Sequence, residues 1–321
     1  MSGSSKTQRS GAQPPRIGGI ALKNGVVLLT ERHWAAAVRD TGGHISVASG
    51  DKPRLSGSGR SGSRALRHGQ GVGGRGPEGG EGVPLLRGLG RFGETLLVLA
   101  QVKIKLPQAE LPLEGGRIAG ALVGAAAATS AVKTLAPRSA LVQETGLALA
   151  AFVPAVLALK NSSISGYHGA EHKVIGGREA TVRSSQRKAG GPSVLSSVSS
   201  RPPVSASAAA AKEHDRCGSN LVGPYLLATV ATNVLARGRS GHKSPAASAI
   251  AGAVSLGVAL EALRWATRNG DSILARLLLL PGRAIQKGLT TTEPTPDQLE
   301  VGERALAELL RLEEASGPAR V

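Results

Sequence analysis

Four apolar segments place the strongest constraint on how this chain folds. They consist mainly of Ala, Gly, Leu and Val and cover residues 118–135, 141–159, 221–236 and 246–266. At a rise of about 1.5 Å per residue, helices of these lengths bracket the roughly 30 Å hydrocarbon core of a bilayer. A soluble Ala-rich bundle is the alternative, but four segments of spanning length rarely occur together in a soluble domain. We therefore predict a mainly α fold, a polytopic membrane helical bundle of about four spans.

The basic residues predict how such a bundle is oriented. The long loop between the second and third segments, residues 160–220, holds nine Lys and Arg, whereas the two loops on the opposite side hold five between them. An even number of spans places both termini on the side of the long loop. The positive-inside rule then makes the termini and this loop cytoplasmic. The predicted location is the plasma membrane, with several passes.

The net charge of +17 indicates an anionic partner. Nucleic acid is excluded as the expected partner because the chain has only two Phe, two Tyr and two Trp for base stacking and no nucleic-acid-binding motif. The basic residues concentrate between the apolar segments, which favours membrane lipid as the partner. The substrate and the oligomeric state cannot be read from the pattern. One cysteine, Cys217, excludes an internal disulfide.

Composition divides the chain further. We predict a disordered start at residues 1–15 and a small β-rich segment at residues 16–50, with two strands around a Gly42-Gly43 turn. A Gly/Ser/Arg-rich linker follows at residues 51–83. Residues 84–315 form a membrane-associated helical domain, whose low-complexity insert at residues 181–211 we expect to be disordered.

Two further helices are predicted near the C-terminus. The apolar run 274–280 precedes Pro281 and suits a helix along the membrane interface. The tail predicts a soluble amphipathic helix with Pro296 near its N-terminus. Its apolar stripe comprises Leu299, Ala305, Leu306, Leu309 and Leu310. Thr290, Thr291 and Thr292 precede it where a polar cap is expected.

The clearest chemical motif is H-x-x-E-H at residues 168–172. On a helix, His168 and His172 share one face, so both imidazoles reach toward one metal ion. Glu171 then has the position of a general base or acid for a metal-activated water. Downstream, His214 and Cys217 supply a second pair of candidate ligands.

These residues allow three interpretations. Three of the ligands with a water make an open, catalytic zinc site, whereas all four together make a closed, structural one. In the third interpretation the His and Cys side chains cap helix ends and no metal binds.

At these motifs the chain resembles the YqhQ-like family of bacterial membrane proteins, domain of unknown function 1385. The resemblance is carried by YHGAEHKVI and HDRCGSN, and by stretches at residues 18–39, 83–88 and 289–306. It implies a multi-pass membrane protein with a metal-dependent site at His168, Glu171, His172, His214 and Cys217. The chain departs from the family pattern at Ile20, Asn24 and Leu29, where polar Gln, Glu and Arg are usual. If those positions contribute to a site, this protein has altered it.

Two functions follow as hypotheses. The first is a membrane protein with a cytoplasm-facing zinc site that serves as a metal-dependent hydrolase. The second is a non-enzymatic membrane scaffold or assembly factor whose His/Cys cluster is structural. A transporter is a third, weaker hypothesis, because a transporter needs polar residues at mid-membrane and the apolar segments offer few beyond Glu144 and Glu261.

Overall fold

The computed structural model describes residues 15–55, 84–112, 116–135, 139–188, 204–214, 217–236 and 244–317. Residues 1–14 of the predicted disordered start and residues 56–83 of the predicted linker lie outside these residues.

The N-terminal part forms a four-stranded antiparallel sheet in the order β1-β2-β3-β4. Its strands are β1 (Gly18–Ala21), β2 (Gly25–Leu29), β3 (His33–Arg39) and β4 (Ile45–Asp51). The β-rich segment is therefore confirmed, with four strands where two were expected. The predicted Gly42-Gly43 turn joins β3 to β4, and Gly43 adopts φ +86°, a conformation that glycine accepts without steric cost.

Helices make up the rest of the described chain. In order, they are α1 (Pro84–Lys105), α2 (Gly116–Leu135), α3 (Ala140–Leu159), α4 (Ser163–Lys188), α5 (Val204–Ala209), α6 (Val222–Ala236), α7 (Pro245–Arg268), α8 (Ile273–Ile285) and α9 (Pro296–Ala315). A 3₁₀ turn, Gly218–Leu221, leads into α6, and a π-helical turn, Gln286–Thr290, follows α8.

The sheet is the middle of three layers. Alternation along β3 sends Ala35 and Ala37 to one face, where α4 and α9 pack, and Trp34 and Val38 to the other, where α1 packs. Both faces of β3 are consequently buried, which explains its continuous apolar sequence. The stripe predicted for the tail helix is the contact surface of α9 on the sheet, because Ala305, Leu306, Leu309 and Leu310 are buried there.

The apolar helices form two hairpins, α2 with α3 and α6 with α7, and α3 also packs against α6. Three helices are long and apolar enough to cross a membrane, namely Gly116–Leu135, Ala140–Leu159 and Ala246–Arg268. Many of their large apolar side chains are exposed, such as Leu122 and Ile250.

The four-span prediction is confirmed for only three segments. Of the predicted third span, Leu221 belongs to the 3₁₀ turn, and the remaining 15 residues form α6. Such a helix is about 22 Å long, short of the roughly 30 Å hydrocarbon core. The orientation of the spans stays a prediction.

The low-complexity insert is ordered at both ends, contrary to the expectation of disorder. Its first residues continue α4, and residues 204–209 form α5. Small side chains permit this, because a Cβ on Gly177 would lie 2.7 Å from backbone atoms of Ser207, so α5 lies directly against α4. Residues 189–203 lie outside the described part of the chain.

The cap of α9 is Thr295 and not the preceding threonines. The Thr295 hydroxyl accepts from the amide of Gln298, and the Gln298 side chain accepts from the amide of Thr295 in return, which is a capping box. Thr290 and Thr292 instead contact α4, where the Thr290 carbonyl accepts from His168 and the Thr292 amide donates to the carbonyl of Ser165, whereas Thr291 donates to the carbonyl of Gln286.

A buried ionic cluster attaches α9 to the sheet. The carboxylate of Glu313, 1% exposed, accepts from the Thr30 hydroxyl, the Arg32 guanidinium and His33 Nδ1. Burial opposes ionisation, but these hydrogen bonds hold the pKa of Glu313 below its ordinary 4.5. His33 thus has a structural role.

We expect Glu313→Gln to lower the free energy of unfolding by about 2 kcal/mol, because three donors lose a charged acceptor. The thermal midpoint of the detergent-solubilised chain, followed by tryptophan fluorescence, measures the change. The stabilisation exists above the carboxyl's unfolded pKa of 4.5 and is lost as the pH falls through the lower folded pKa, so the difference should shrink in acid.

The matched control is Asp51→Asn. Asp51 also faces His33, at 3.5 Å, but its side chain is 94% exposed, so its removal should cost less than about 0.5 kcal/mol. Equal losses in the two variants would contradict the assignment of Glu313 as the anchor.

Candidate metal centre

The two motifs meet in space, as expected from their places beside the apolar segments. His168 and His172 lie one turn apart on α4, and Cys217 precedes the 3₁₀ turn that leads into α6. The ligand atoms of the three side chains all lie within 4.8 Å of one another. The imidazole centroids are 4.4 Å apart, and His168 Nε2 lies 3.0 Å from Cys217 Sγ.

Backbone carbonyls orient both imidazoles. His168 Nδ1 donates to the carbonyl of Thr290 at 2.9 Å, and His172 Nδ1 donates to the carbonyl of Lys212 at 2.5 Å. A proton on each Nδ1 leaves the lone pair on each Nε2 available to a ligand. Carbonyl partners of this kind commonly set the tautomer and ring direction of metal-binding histidines.

The Nε2 atom of His172 is buried and has no hydrogen-bond partner among the described residues. Burial and the neighbouring His168 lower the pKa of His172 to about 3, so its imidazole is neutral at physiological pH. A buried nitrogen lone pair without a partner is costly. A metal ion would satisfy it, and neutral imidazole is the form that binds metal.

The separations suit a small cation after modest adjustment. In tetrahedral zinc, bonds of about 2.0–2.1 Å to nitrogen and about 2.3 Å to sulfur place neighbouring ligand atoms roughly 3.3–3.6 Å apart. The ligand atoms here span distances from 3.0 Å, between His168 Nε2 and Cys217 Sγ, up to at most 4.8 Å. The donor set of two imidazoles and one thiol is one that zinc commonly takes.

Cys217 sits in a polar setting inside a buried site. Its sulfur accepts from the hydroxyl of Ser219 at 3.1 Å and from the amide of the same residue at 3.5 Å. Burial raises the pKa of the thiol, whereas the Ser219 donors favour the thiolate. A bound cation would add to the effect of those donors.

Glu171 lies beside this group and packs over the sheet. Its carboxyl covers Gly19 of β1 so closely that a Cβ there would lie 2.5 Å from Glu171 Oε1. Burial raises the pKa of Glu171 to about 8, His168 opposes that change and Cys217 adds to it. The carboxyl is thus close enough to the two ligands to respond to their charge.

His214 is not part of the three-residue group. Its ring centroid lies 5.8 Å from that of His172, and its Nε2 faces Glu179 Oε1 at 3.6 Å. The closed four-ligand site is therefore not formed in this structure. His214 instead contributes backbone contacts that shape the loop before Cys217, accepting from the Cys217 amide.

Several groups that position the site were missed from the sequence. The carbonyls of Thr290 and Lys212 carry no side-chain signal. Gln286, fully buried, links the site loop to the end of α8 by accepting from the His214 amide and donating to Asn220. Only Asn220 and Ser219 had a signal, since both belong to the quoted HDRCGSN stretch.

The altered N-terminal positions lie away from the metal-ligating atoms. Ile20 and Leu29 pack against the core under α1, on the face of the sheet opposite to Gly19 and Glu171. Asn24 braces the β1–β2 turn by donating to the carbonyls of Arg39 and Gln108 and by accepting from the amide of Glu110.

Comparison with known proteins agrees with the motifs. The model of the family described as "Protein of unknown function (DUF1385)" matches residues 203–312, which include His214, Cys217 and Thr290. No curated protein and no solved structure matches the chain. The match over residues 203–312, about a third of the chain, supports the similarity to this family that the motifs indicated.

Proposed function

We propose that this chain is a membrane-anchored, zinc-dependent hydrolase. In this proposal His168, His172 and Cys217 hold the ion, and Glu171 serves as general base and acid. The observation that carries the proposal is the buried, unpartnered Nε2 of His172, which faces two further ligand atoms beside a buried carboxyl.

The number of ligands favours catalysis over a purely structural role. Closed structural zinc sites have four protein ligands, whereas catalytic ones keep a position for water or substrate. Bound zinc would supply a polarised water molecule near neutral pH. Glu171 adjoins His172 in sequence. Its pKa of about 8 keeps the carboxyl protonated at neutral pH, and the positive charge of a bound ion would favour the carboxylate that accepts a proton from such a water.

A cleft beside the centre offers room for a substrate. It has a volume of about 630 Å³ and is lined by His214, Glu179, Glu213 and Arg183, among others. Since the ring of His214 is the neighbour of the His172 ring, the cleft lies next to the proposed ion. The charged lining favours a polar substrate.

A structural metal centre in a non-enzymatic scaffold is the second candidate. Its support is the burial of the site, since His172 is 1% and Cys217 8% exposed. The two candidates differ in the roles of two residues. A hydrolase needs the Glu171 carboxyl, whereas a closed structural centre needs His214 as a fourth ligand.

We expect near-stoichiometric zinc in the full-length chain purified in detergent, measured by inductively coupled plasma mass spectrometry. His168→Ala, His172→Ala and Cys217→Ala should each lose most of the metal, because each removes one of three ligands. His214→Ala is the matched control and should retain it. Metal-free wild-type protein, or a loss in His214→Ala as large as in the ligand variants, would overturn the assignment.

Glu171→Gln should retain zinc but lose hydrolysis of ester, phosphoester and amide reporter substrates by about 10²–10⁴-fold, the range typical for removal of a general acid or base. Glu179→Gln, which changes a carboxyl in the same cleft that faces His214, is the control and should change the rate far less. A Glu171→Gln variant with unchanged turnover, or a zinc-loaded wild type inactive on every reporter, favours the scaffold.

Gly169→Ala should weaken zinc retention although residue 169 is not a ligand. A Cβ there would lie 2.1 Å from the Thr292 carbonyl oxygen, so the segment that contains the Thr290 acceptor of His168 has to move. We expect zinc to exchange into a chromogenic chelator at least several-fold faster. Gly120→Ala, in a helix position with open space around it, should leave the exchange unchanged. Unaltered exchange in Gly169→Ala would contradict the role of this contact.

A further inference from the structure

A second cleft, distinct from the metal centre, lies where α7 meets α1 and the sheet. This junction cleft has a volume of about 770 Å³. Its charged lining comprises Arg16, Arg91, Arg264, Arg268, Glu31 and Glu261. None of these residues contributes to the proposed hydrolase chemistry.

The charges of the junction cleft are only partly balanced. Arg91 faces Glu31 at 3.8 Å, and Arg264 faces Glu261 at 4.0 Å. Within the part of the chain that the structure describes, Arg16 and Arg268 form no ion pair, and both are exposed. The cleft therefore carries an excess of two positive charges, on guanidinium groups that suit a phosphate.

The cleft also has an apolar side. Phe92 of α1 and Leu260 and Leu263 of α7 line it together with the arginines. Phe92 remains 42% exposed. A ligand that fills the whole cleft must combine a negative charge with an apolar part.

The surroundings of the cleft have features typical of a membrane–water interface. Arg268 is the last residue of α7, one of the three helices of spanning length. Trp265, 41% exposed, lies one residue from Arg264, and tryptophan concentrates at membrane–water interfaces.

Helix α8, which follows α7, also has the pattern of a helix at the membrane–water interface. In α8 a set of large apolar side chains is at least 60% exposed, namely Ile273, Leu274, Leu277 and Leu280. Its opposite side, with Ala275 and Leu279, is buried. An amphipathic helix with its apolar face exposed lies in the interfacial layer, at the level of lipid headgroups.

From these observations we propose that the junction cleft binds the phosphate of an anionic phospholipid through Arg16 and Arg268, with Phe92, Leu260 and Leu263 contacting the start of its acyl chains. Arg264 and Arg91 add positive charge at the rim. The site is independent of zinc and of the hydrolase proposal.

The test uses the full-length chain in phosphatidylcholine nanodiscs that contain a rising fraction of dibrominated phosphatidylglycerol. Bromine quenches tryptophan at short range, so Trp265 reports lipid at the cleft. The other tryptophan, Trp34, is 0% exposed beneath α1 and supplies a constant background. We expect saturable quenching that unlabelled phosphatidylglycerol reverses and added phosphatidylcholine does not.

Arg16→Gln and Arg268→Gln should each raise the half-saturating lipid fraction about fivefold, the effect of one basic residue near an anionic surface. Arg276→Gln is the matched control, because Arg276 is exposed on interfacial α8 but does not line the cleft.

Three results would overturn the proposal. One is unchanged quenching in the Arg16/Arg268 double variant. Another is an equal effect of Arg276→Gln, which would mean general surface attraction. The third is reversal by millimolar inorganic phosphate in solution, which would make the ligand a free phosphate and not a lipid.

Discussion

At Gly169 the backbone of α4 approaches the segment before α9 so closely that a Cβ would lie 2.1 Å from the carbonyl oxygen of Thr292. The same approach brings the Thr290 carbonyl within 2.9 Å of His168 Nδ1. Glycine costs roughly 1 kcal/mol in a helix relative to alanine. That cost is offset here by a contact that no other residue allows, and the direction of the first candidate ligand depends on it.

The remaining ligands depend on contacts that are equally long-range in sequence. The Lys212 carbonyl holds His172, and buried Gln286 connects the loop before Cys217 to the end of α8. Three separate stretches of chain must therefore be in place before the ligand atoms converge. The described contacts come from α4, from residues 212–214 and 217–220, and from residues 286–292. Loop-closure entropy grows only slowly with length, so the low-complexity insert between the two motifs costs little in free energy.

How much of this could be predicted from the sequence differs by feature. The helix face shared by His168 and His172 follows from their spacing alone, and so does the apolar stripe of α9. The three helices of spanning length were evident from the length and apolar composition of their segments. The boundary between α6 and the turn before it was not, because Leu221 belongs to a 3₁₀ turn that the Cys217 sulfur caps. The sequence also does not show that Cys217 joins the two histidines while His214 does not, since this depends on which side chain turns toward Glu179. Carbonyl acceptors such as Thr290 have no sequence signature at all.

The arrangement of the hairpins explains why the polar features gather at one end of the apolar helices. The end of α3 leads into α4 with its two histidines, the start of α6 follows Cys217, and the end of α7 carries Arg264 and Arg268. Thr267, in the last turn of α7, lines both the junction cleft and the cleft beside His214. A headgroup held by Arg268 and an ion held by His172 would thus be neighbours across one helix end. Gly19 of β1 lies against Glu171 beside the metal centre, and Arg16, two residues before β1, lines the junction cleft. The N-terminal part of the chain is for this reason more than a cover for the apolar helices, because it contributes residues to the surroundings of both sites.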